Sequence, residues 1–378
     1  VPNRDVANRV WATIGAAGVL CGTALLAQQP AQPTPQQRPP LVERVEVTRV
    51  VIDARVIDDY GAAILGLAAP DFSVTIGGKP ARVQMALWSG DTAPRGPSGA
   101  LLSARNMPGE SEPGQLVVLL FQKSLTNERA WGLVRTIEYS RDLVRSLPAS
   151  ARVAVLQYEN SLRVYSDFTD DRAAIDRLLT RGLLHQPPPS AVPRGSPSLL
   201  DALAPSVGRE IFTIEQAFAA IAGALNPMPG SKAIAYIGYG MGNPAFGLRQ
   251  DTGITHAKFG ALPDDLADKT DMNSEYARAR RMLIEARVSV FSLDITKADT
   301  HTMAGGMQII ARDTGGFYAH SLDFPEKPMR FVSGALNGHY VLFVEPPADA
   351  TDRTIEVSVT AGRRAQVFAT SSYRAPEK

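Results

Sequence analysis

The sequence of 378 residues holds one cysteine, five histidines and only 7% aromatic residues, and its formal charge is +1. A lone cysteine excludes a disulfide framework and a multi-thiolate metal site. Near-neutral charge excludes broad nucleic-acid binding, which needs a basic surface to displace counterions. Catalytic signatures are missing too. None of the histidines stands in an H-E-x-x-H pattern, and neither a G-x-S-x-G elbow nor a G-x-x-x-x-G-K-[ST] loop occurs. No repeat of 20–50 residues is visible. With 44% hydrophobic and 20% charged residues, the chain is neither disordered nor a polytopic membrane protein.

The one long apolar run lies near the start. Arg4 and Arg9 precede Val10 to Ala27, after which residues 28–41 become polar and rich in proline and glutamine. This pattern reads as a secretory signal peptide over residues 1–27, cleaved near Ala27; an uncleaved anchor helix is the alternative. Cleavage would remove Cys21 with Arg4, Asp5 and Arg9 and leave no net charge. The expected location is periplasmic or secreted, with membrane contact only through an uncleaved segment.

Residues 42–88 alternate in β-branched runs, with Asp58-Asp59-Tyr60-Gly61 and Gly77-Gly78 as turns. A Gly/Pro/Ser-rich linker covers 89–114. Over 115–338, continuous apolar strands (LVVLLF at 116–121, Lys232–Tyr239, VSVFSL at 288–293) alternate with helical stretches, which predicts a mostly parallel sheet wrapped on both faces. In the first helix, 127–147, Trp131, Val134, Ile137 and Leu147 are placed on one common apolar face. Asn273 or Ser274 is expected to cap the helix ending near Arg287, and Arg278, Arg280 and Arg281 to form its solvated face. Residues 339–378 are β-rich again. Each flanking segment is too small to stand alone, so the two are expected to pair into an antiparallel β-sandwich beside the α/β domain. The fold class is thus α/β: a doubly wound, mostly parallel sheet with an accessory β-sandwich built from both chain ends.

The segments VIDARVIDDYGAAILGLAAPDFSVTIGGKPARV, EARVSVFSLDI…IARDTGGFYAHS and NGHYVLFVEPP…RTIEVSVTAGRRAQVFATSSYRAP occur in an order and spacing that resembles the von Willebrand factor type A domains, and more closely type-A-related proteins of the acidobacterial kind. The resemblance covers roughly residues 42–376. It implies a cation site at the carboxyl edge of the sheet, built from Asp-x-Ser-x-Ser after the first strand, a Thr on a central loop and an Asp after the fourth strand. Here those places hold Gln122-Lys123-Ser124-Leu125-Thr126, then Ser196-Pro197, then Gly238-Tyr239.

Magnesium sheds water reluctantly and is normally anchored by carboxylates. An amide and two hydroxyls do not offset that desolvation, and Lys123 adds a positive charge. Asp294 and Glu128 are the candidate compensating carboxylates. The expectation is therefore a degenerate apical site of Gln122, Ser124, Thr126, Ser196, Pro197, Tyr239 and Asp294, with no metal, no cofactor and no catalytic residue. The partner would be a protein. A long excursion at 240–272, carrying Met241, Phe246, Ile254, Phe259 and Leu262, leaves from the same edge and is read either as a recognition loop or as a lid. His256 is read as a solvated loop residue, and His339 as part of a sheet surface. The alternatives are a structural envelope component contacting partners through its β-sandwich, and a hydrolase with a dispersed Ser-His-Asp site.

Overall fold

A computed structural model of the chain describes residues 49–90, 114–124, 126–183, 186–207, 209–242, 269–297, 301, 303–347, 353–360 and 364–373. The chain divides into a unit Val1–Glu46, outside the described residues, and a compact unit Val47–Lys378. The predicted signal segment and most of the 240–272 excursion, with His256, also lie outside the described residues. Among these, no helix is long and apolar enough to cross a membrane.

One sheet has the order β6-β5-β4-β7-β8-β9, made of β4 (Leu116–Gln122), β5 (Arg152–Tyr158), β6 (Leu162–Thr169), β7 (Lys232–Gly238), β8 (Val288–Asp294) and β9 (Tyr318–His320). All its pairings are parallel except the β5–β6 hairpin. β4, β7 and β8 are buried at every position, as their unbroken apolar runs require of strands covered on both faces. Alternation along β4 divides the core. Leu116, Val118 and Leu120 pack with Phe218, Ile221 and Leu283, whereas Val117, Leu119 and Phe121 pack with Ile137, Val144 and Val332.

The helices are α1 (Asn127–Ser146), α2 (Arg172–Arg177), α3 (Leu199–Leu203), α4 (Ile214–Leu225), α5 (Lys269–Glu285), α6 (Ala304–Asp313) and α7 (Glu326–Leu336). The Asp171 carboxylate caps α2 by accepting from Ala174 N at 2.9 Å. Three helical expectations are corrected. In α1, Ile137 and Leu147 are buried, but Trp131 is 70% and Val134 42% exposed; Leu133, Leu143 and Val144 complete the inward face instead. Helix α5 begins at Lys269, so Asn273 and Ser274 lie inside it rather than at its cap. Arg280 is no mere solvated residue either: its guanidinium pairs with the buried carboxylate of Asp313.

The flanking segments join, as expected, into one antiparallel sheet of order β11-β2-β3-β10-β1-β12. Its strands are β1 (Val50–Asp58), β2 (Phe72–Ile76), β3 (Lys79–Ser89), β10 (His339–Glu345), β11 (Ile355–Val359) and β12 (Ala365–Ala369). The expected two-layer sandwich is replaced by a nearly closed barrel. The edge strands meet where Thr354 bridges Ser372 and Ile355 N donates to Ser371 O at 2.8 Å. Gly77 and Gly78, at φ 59° and 73°, make the hairpin turn from β2 to β3. The barrel core centres on Tyr340, whose ring meets those of Phe72 and Trp88 edge-on at 5.2 and 5.0 Å.

Barrel and parallel sheet lock at the amino ends of β7 and β8. Arg55 on β1, 1% exposed, donates to Ser289 Oγ at 2.7 Å and Ser231 Oγ at 3.4 Å. Arg287 donates to Asp53 Oδ1 at 2.5 Å. His339, the first residue of β10, lies 3.6 Å from the same carboxylate and is buried, not on a sheet surface as expected. On the other side of the junction, Phe317 packs on Phe368 at 5.3 Å. Gly334 of α7 comes so near Gly61 that a Cβ there would sit 1.7 Å from the Gly61 carbonyl oxygen.

Candidate functional site

β4 sits between β5 and β7, so the connections leaving the carboxyl ends of β4 and β7 run to opposite sides of the sheet. An open α/β sheet has its natural crevice at that point. Gln122 ends β4, and residues 123–126 lead into α1. Ser124 Oγ accepts from Thr126 N at 3.3 Å and lies 3.1 Å from Thr126 Oγ1, so the two hydroxyls turn the chain into the helix.

Gln122 is 4% exposed, and its Oε1 is already held from two sides. The Tyr236 hydroxyl approaches at 2.6 Å, and Tyr239 N donates at 3.0 Å. Tyr236 also lies 2.8 Å from the Gly240 carbonyl oxygen. Burial pushes the Tyr236 phenol well above its ordinary pKa, and Glu215 pushes it the same way, so it remains a neutral donor. An amide oxygen suits two neutral donors. A carboxylate here would be a desolvated charge with no cation among these contacts.

Gln122, Ser124 and Tyr239 line one cavity of about 420 Å³. Its other walls are the β5–β6 turn, with Tyr158 and Glu159, and the start of α4, with Phe212 and Glu215. That helix start is fixed by reciprocal caps: Thr213 Oγ1 accepts from Gln216 N at 3.2 Å, and Gln216 Oε1 accepts from Phe212 N at 3.1 Å. Phe212 is left 74% exposed and Glu215 3% exposed. Lys123 Nζ lies 3.4 Å from Glu159 Oε2 across the rim. The Arg129 guanidinium stacks 4.2 Å from the Tyr239 ring centroid.

The remaining predicted residues sit elsewhere. Thr126 touches Ser124 but does not line the cavity. Ser196 and Pro197 belong to a loop pinned to β6, beyond β5 from Gln122. The buried Asp167 accepts there from Gly195 N at 2.9 Å, Ser198 Oγ at 2.7 Å and Leu199 N at 2.7 Å. Asp294 ends β8 beside Gly238 and is fully buried. Its Oδ1 accepts from Thr296 N at 2.9 Å; its Oδ2 lies 2.7 Å from both His301 Nε2 and the Tyr318 hydroxyl. Burial alone would raise this carboxyl, but the bonds from His301, Tyr318 and Thr296 prevail and hold it below the usual range. The side chain of Glu128 lies outside the described residues, as do Phe246, Ile254, Phe259 and Leu262, while Met241 is buried. Among the described residues, no three His, Cys, Asp or Glu side chains gather as a metal site.

Sequence reasoning missed Phe212 and Glu215, whose only local sign is the Thr213-x-x-Gln216 capping pattern. It also missed the Asp294–His301 pair. That pair matches the Asp and His of a Ser-His-Asp arrangement, but no serine hydroxyl bonds His301 among the described residues.

No protein-family model matches the chain, and no curated protein matches it by sequence. Among solved structures it is similar to the human COPII-coat protein Sec24c, at 12% identity and a TM-score of 0.37, over 69% of this chain and 44% of that one. It thus spans less than half of Sec24c. It is similar to BatB from Bacteroides thetaiotaomicron (14% identity, TM-score 0.35, 59% of this chain and 97% of that one). A von Willebrand factor type A protein from Catenulispora acidiphila is similar at 10% identity and a TM-score of 0.38, over 85% and 74% of the two chains. Similarities at this level carry no inference about what the chain binds or does.

Proposed function

We propose that this chain is an exported, non-enzymatic binding module that engages another protein through the carboxyl edge of its parallel sheet, without a bridging cation. The observation that carries the reading is Gln122: its oxygen is consumed by Tyr236 and Tyr239 N, so the strand end offers no anionic ligand. What the edge does present is an open cavity with an exposed aromatic, Phe212, beside a paired lysine and glutamate. An aromatic anchor next to polar groups is the usual composition of a protein-contact hot spot.

The test is a peptide-display selection against the full chain, followed by binding of the selected peptides to Phe212→Ser and Tyr239→Ala. Phe324→Ser, an 80% exposed aromatic outside the cavity, is the control. Loss of binding with the first two and not the third is expected. Selected peptides insensitive to both cavity substitutions would overturn the reading.

A further inference from the structure

Of the two acids lining the cavity at the carboxyl edge, one has no ion pair among the described residues. Glu159 faces Lys123 at 3.4 Å and Arg163 at 3.5 Å. Glu275, on α5 nearby, is held by the Thr213 hydroxyl at 2.7 Å and by Gln216 Nε2 at 2.5 Å. Glu215 differs from Glu159: like Glu275 it is held by neutral donors, Gly242 N among them, and no lysine, arginine or histidine among the described residues forms an ion pair with it. Burial raises its carboxyl pKa and neighbouring Glu275 adds to the rise, against the hydrogen bonds from Gly242, its own backbone and Thr213, which lower it. This 97% buried carboxyl lines the cavity together with Tyr158, Phe212 and Tyr239.

Three kinds of ligand group can be weighed against that lining. An anion would face the Glu215 charge at short range. A neutral apolar group would strip water from the carboxylate and give nothing back. A cation gains a counter-ion of low hydration and aromatic walls whose π faces attract positive charge. The Tyr239 ring already stacks one guanidinium, that of Arg129.

We propose that the cavity receives a primary ammonium or guanidinium, the side chain of a lysine or arginine on the bound protein, with Glu215 as counter-ion and Phe212, Tyr158 and Tyr239 as walls. This rests on the reading of the carboxyl edge as the protein-binding face and names the chemistry it selects. Lys123 at the rim opposes an incoming cation and is restrained by Glu159. Its removal therefore lowers repulsion and leaves Glu159 paired with Arg163 alone.

The experiment measures fluorescence anisotropy of labelled Gly-Gly-Lys-Gly-Gly with the full chain, beside the same peptide carrying norleucine or glutamate in place of lysine. Lysine should bind about tenfold or more tighter than norleucine, with glutamate weakest, which corresponds to about 1.4 kcal/mol or more. Glu215→Gln should bring the lysine peptide to the norleucine level, and Lys123→Ala should tighten it. Equal binding of the lysine and norleucine peptides overturns the proposal, as does a Lys123→Ala variant that binds lysine more weakly. If Glu215→Gln does not fold, Lys123→Ala and the peptide series on the unaltered chain still decide. The underlying reading is tested separately. Norleucine binding that falls with Phe212→Ser keeps the edge as a binding face even when the lysine preference fails, and no binding of any peptide refutes both.

Discussion

The two ends of the parallel sheet solve the same problem in opposite ways. At the amino end, Arg55, Asp53, Arg287 and His339 place several ionisable groups in or beside the junction between barrel and sheet, and burial pushes Arg55 down to about 10. Those groups hold the two halves together. At the carboxyl end, Gln122 presents a neutral amide, Asp294 is satisfied by its own neighbours, and a cavity stays open. The difference teaches where the fold uses charge: enclosed and paired where two sheets dock, and at the other end a buried carboxyl with no ion pair among the described residues, in the wall of a cavity.

The strongest way to break the contrast is Arg55→Ala. It removes a fully buried side chain and a compensating charge, so destabilisation of about 3–5 kcal/mol is expected, read from urea unfolding followed by the buried Trp88. A loss below about 1 kcal/mol would mean the seam is not holding the halves together.

Next comes pH. Burial lowers His339 to about 4; Asp53 opposes the fall, and Arg55 and Arg287 add to it. The unfolded chain, with the histidine at 6.5, then binds the proton more readily than the folded one. Stability is therefore intact above pH 6.5 and declines as the pH falls towards 4, by about 3 kcal/mol at most. Asp53, held below 3.8 by His339 and Arg287 against its own burial, adds a further loss at lower pH still. His339→Asn should flatten the slope above pH 4 in urea titrations; an unchanged slope would place the acid sensitivity elsewhere.

A smaller effect belongs to the carboxyl end. Tyr236→Phe removes a hydroxyl shared by Gln122 and Gly240, and should cost about 1–2 kcal/mol while loosening the cavity floor. The smallest expected effect is none: excess Mg²⁺, Mn²⁺ or Ca²⁺ should leave the melting midpoint where a chelator sets it. A ligand that binds only the folded state must raise the midpoint, so a saturable rise would restore a cation at this edge.

Strand and helix order was legible because it rests on local periodicity. LVVLLF, VSVFSL and the Gly77-Gly78 turn all became what their patterns predict. Patterns failed where the inward direction depended on a distant neighbour. The α1 face was misjudged because Trp131 and Val134 match the helical spacing as well as Leu133 and Val144 do, and only packing on α2, α7 and the sheet chooses between them. Pairing of the two chain ends was also foreseen, from their small size. The near-closure of the barrel was not, because it depends on sheet curvature, which has no local signature.

At the candidate site, the sequence by itself determined that an amide stands at the end of the first parallel strand and that Ser124 and Thr126 follow it. Only the tertiary structure decided what those groups do. Gln122 meets Tyr236 across 114 residues, and Asp294 meets Tyr318 across 24. Gly195 and Ser198, on either side of Ser196 and Pro197, bond Asp167 on the far strand, and Glu215 is carried into the cavity by a helix cap. Residue type sets which bonds a side chain can make. Which ones it makes is fixed by the groups that folding brings within about 3 Å of it once water is excluded.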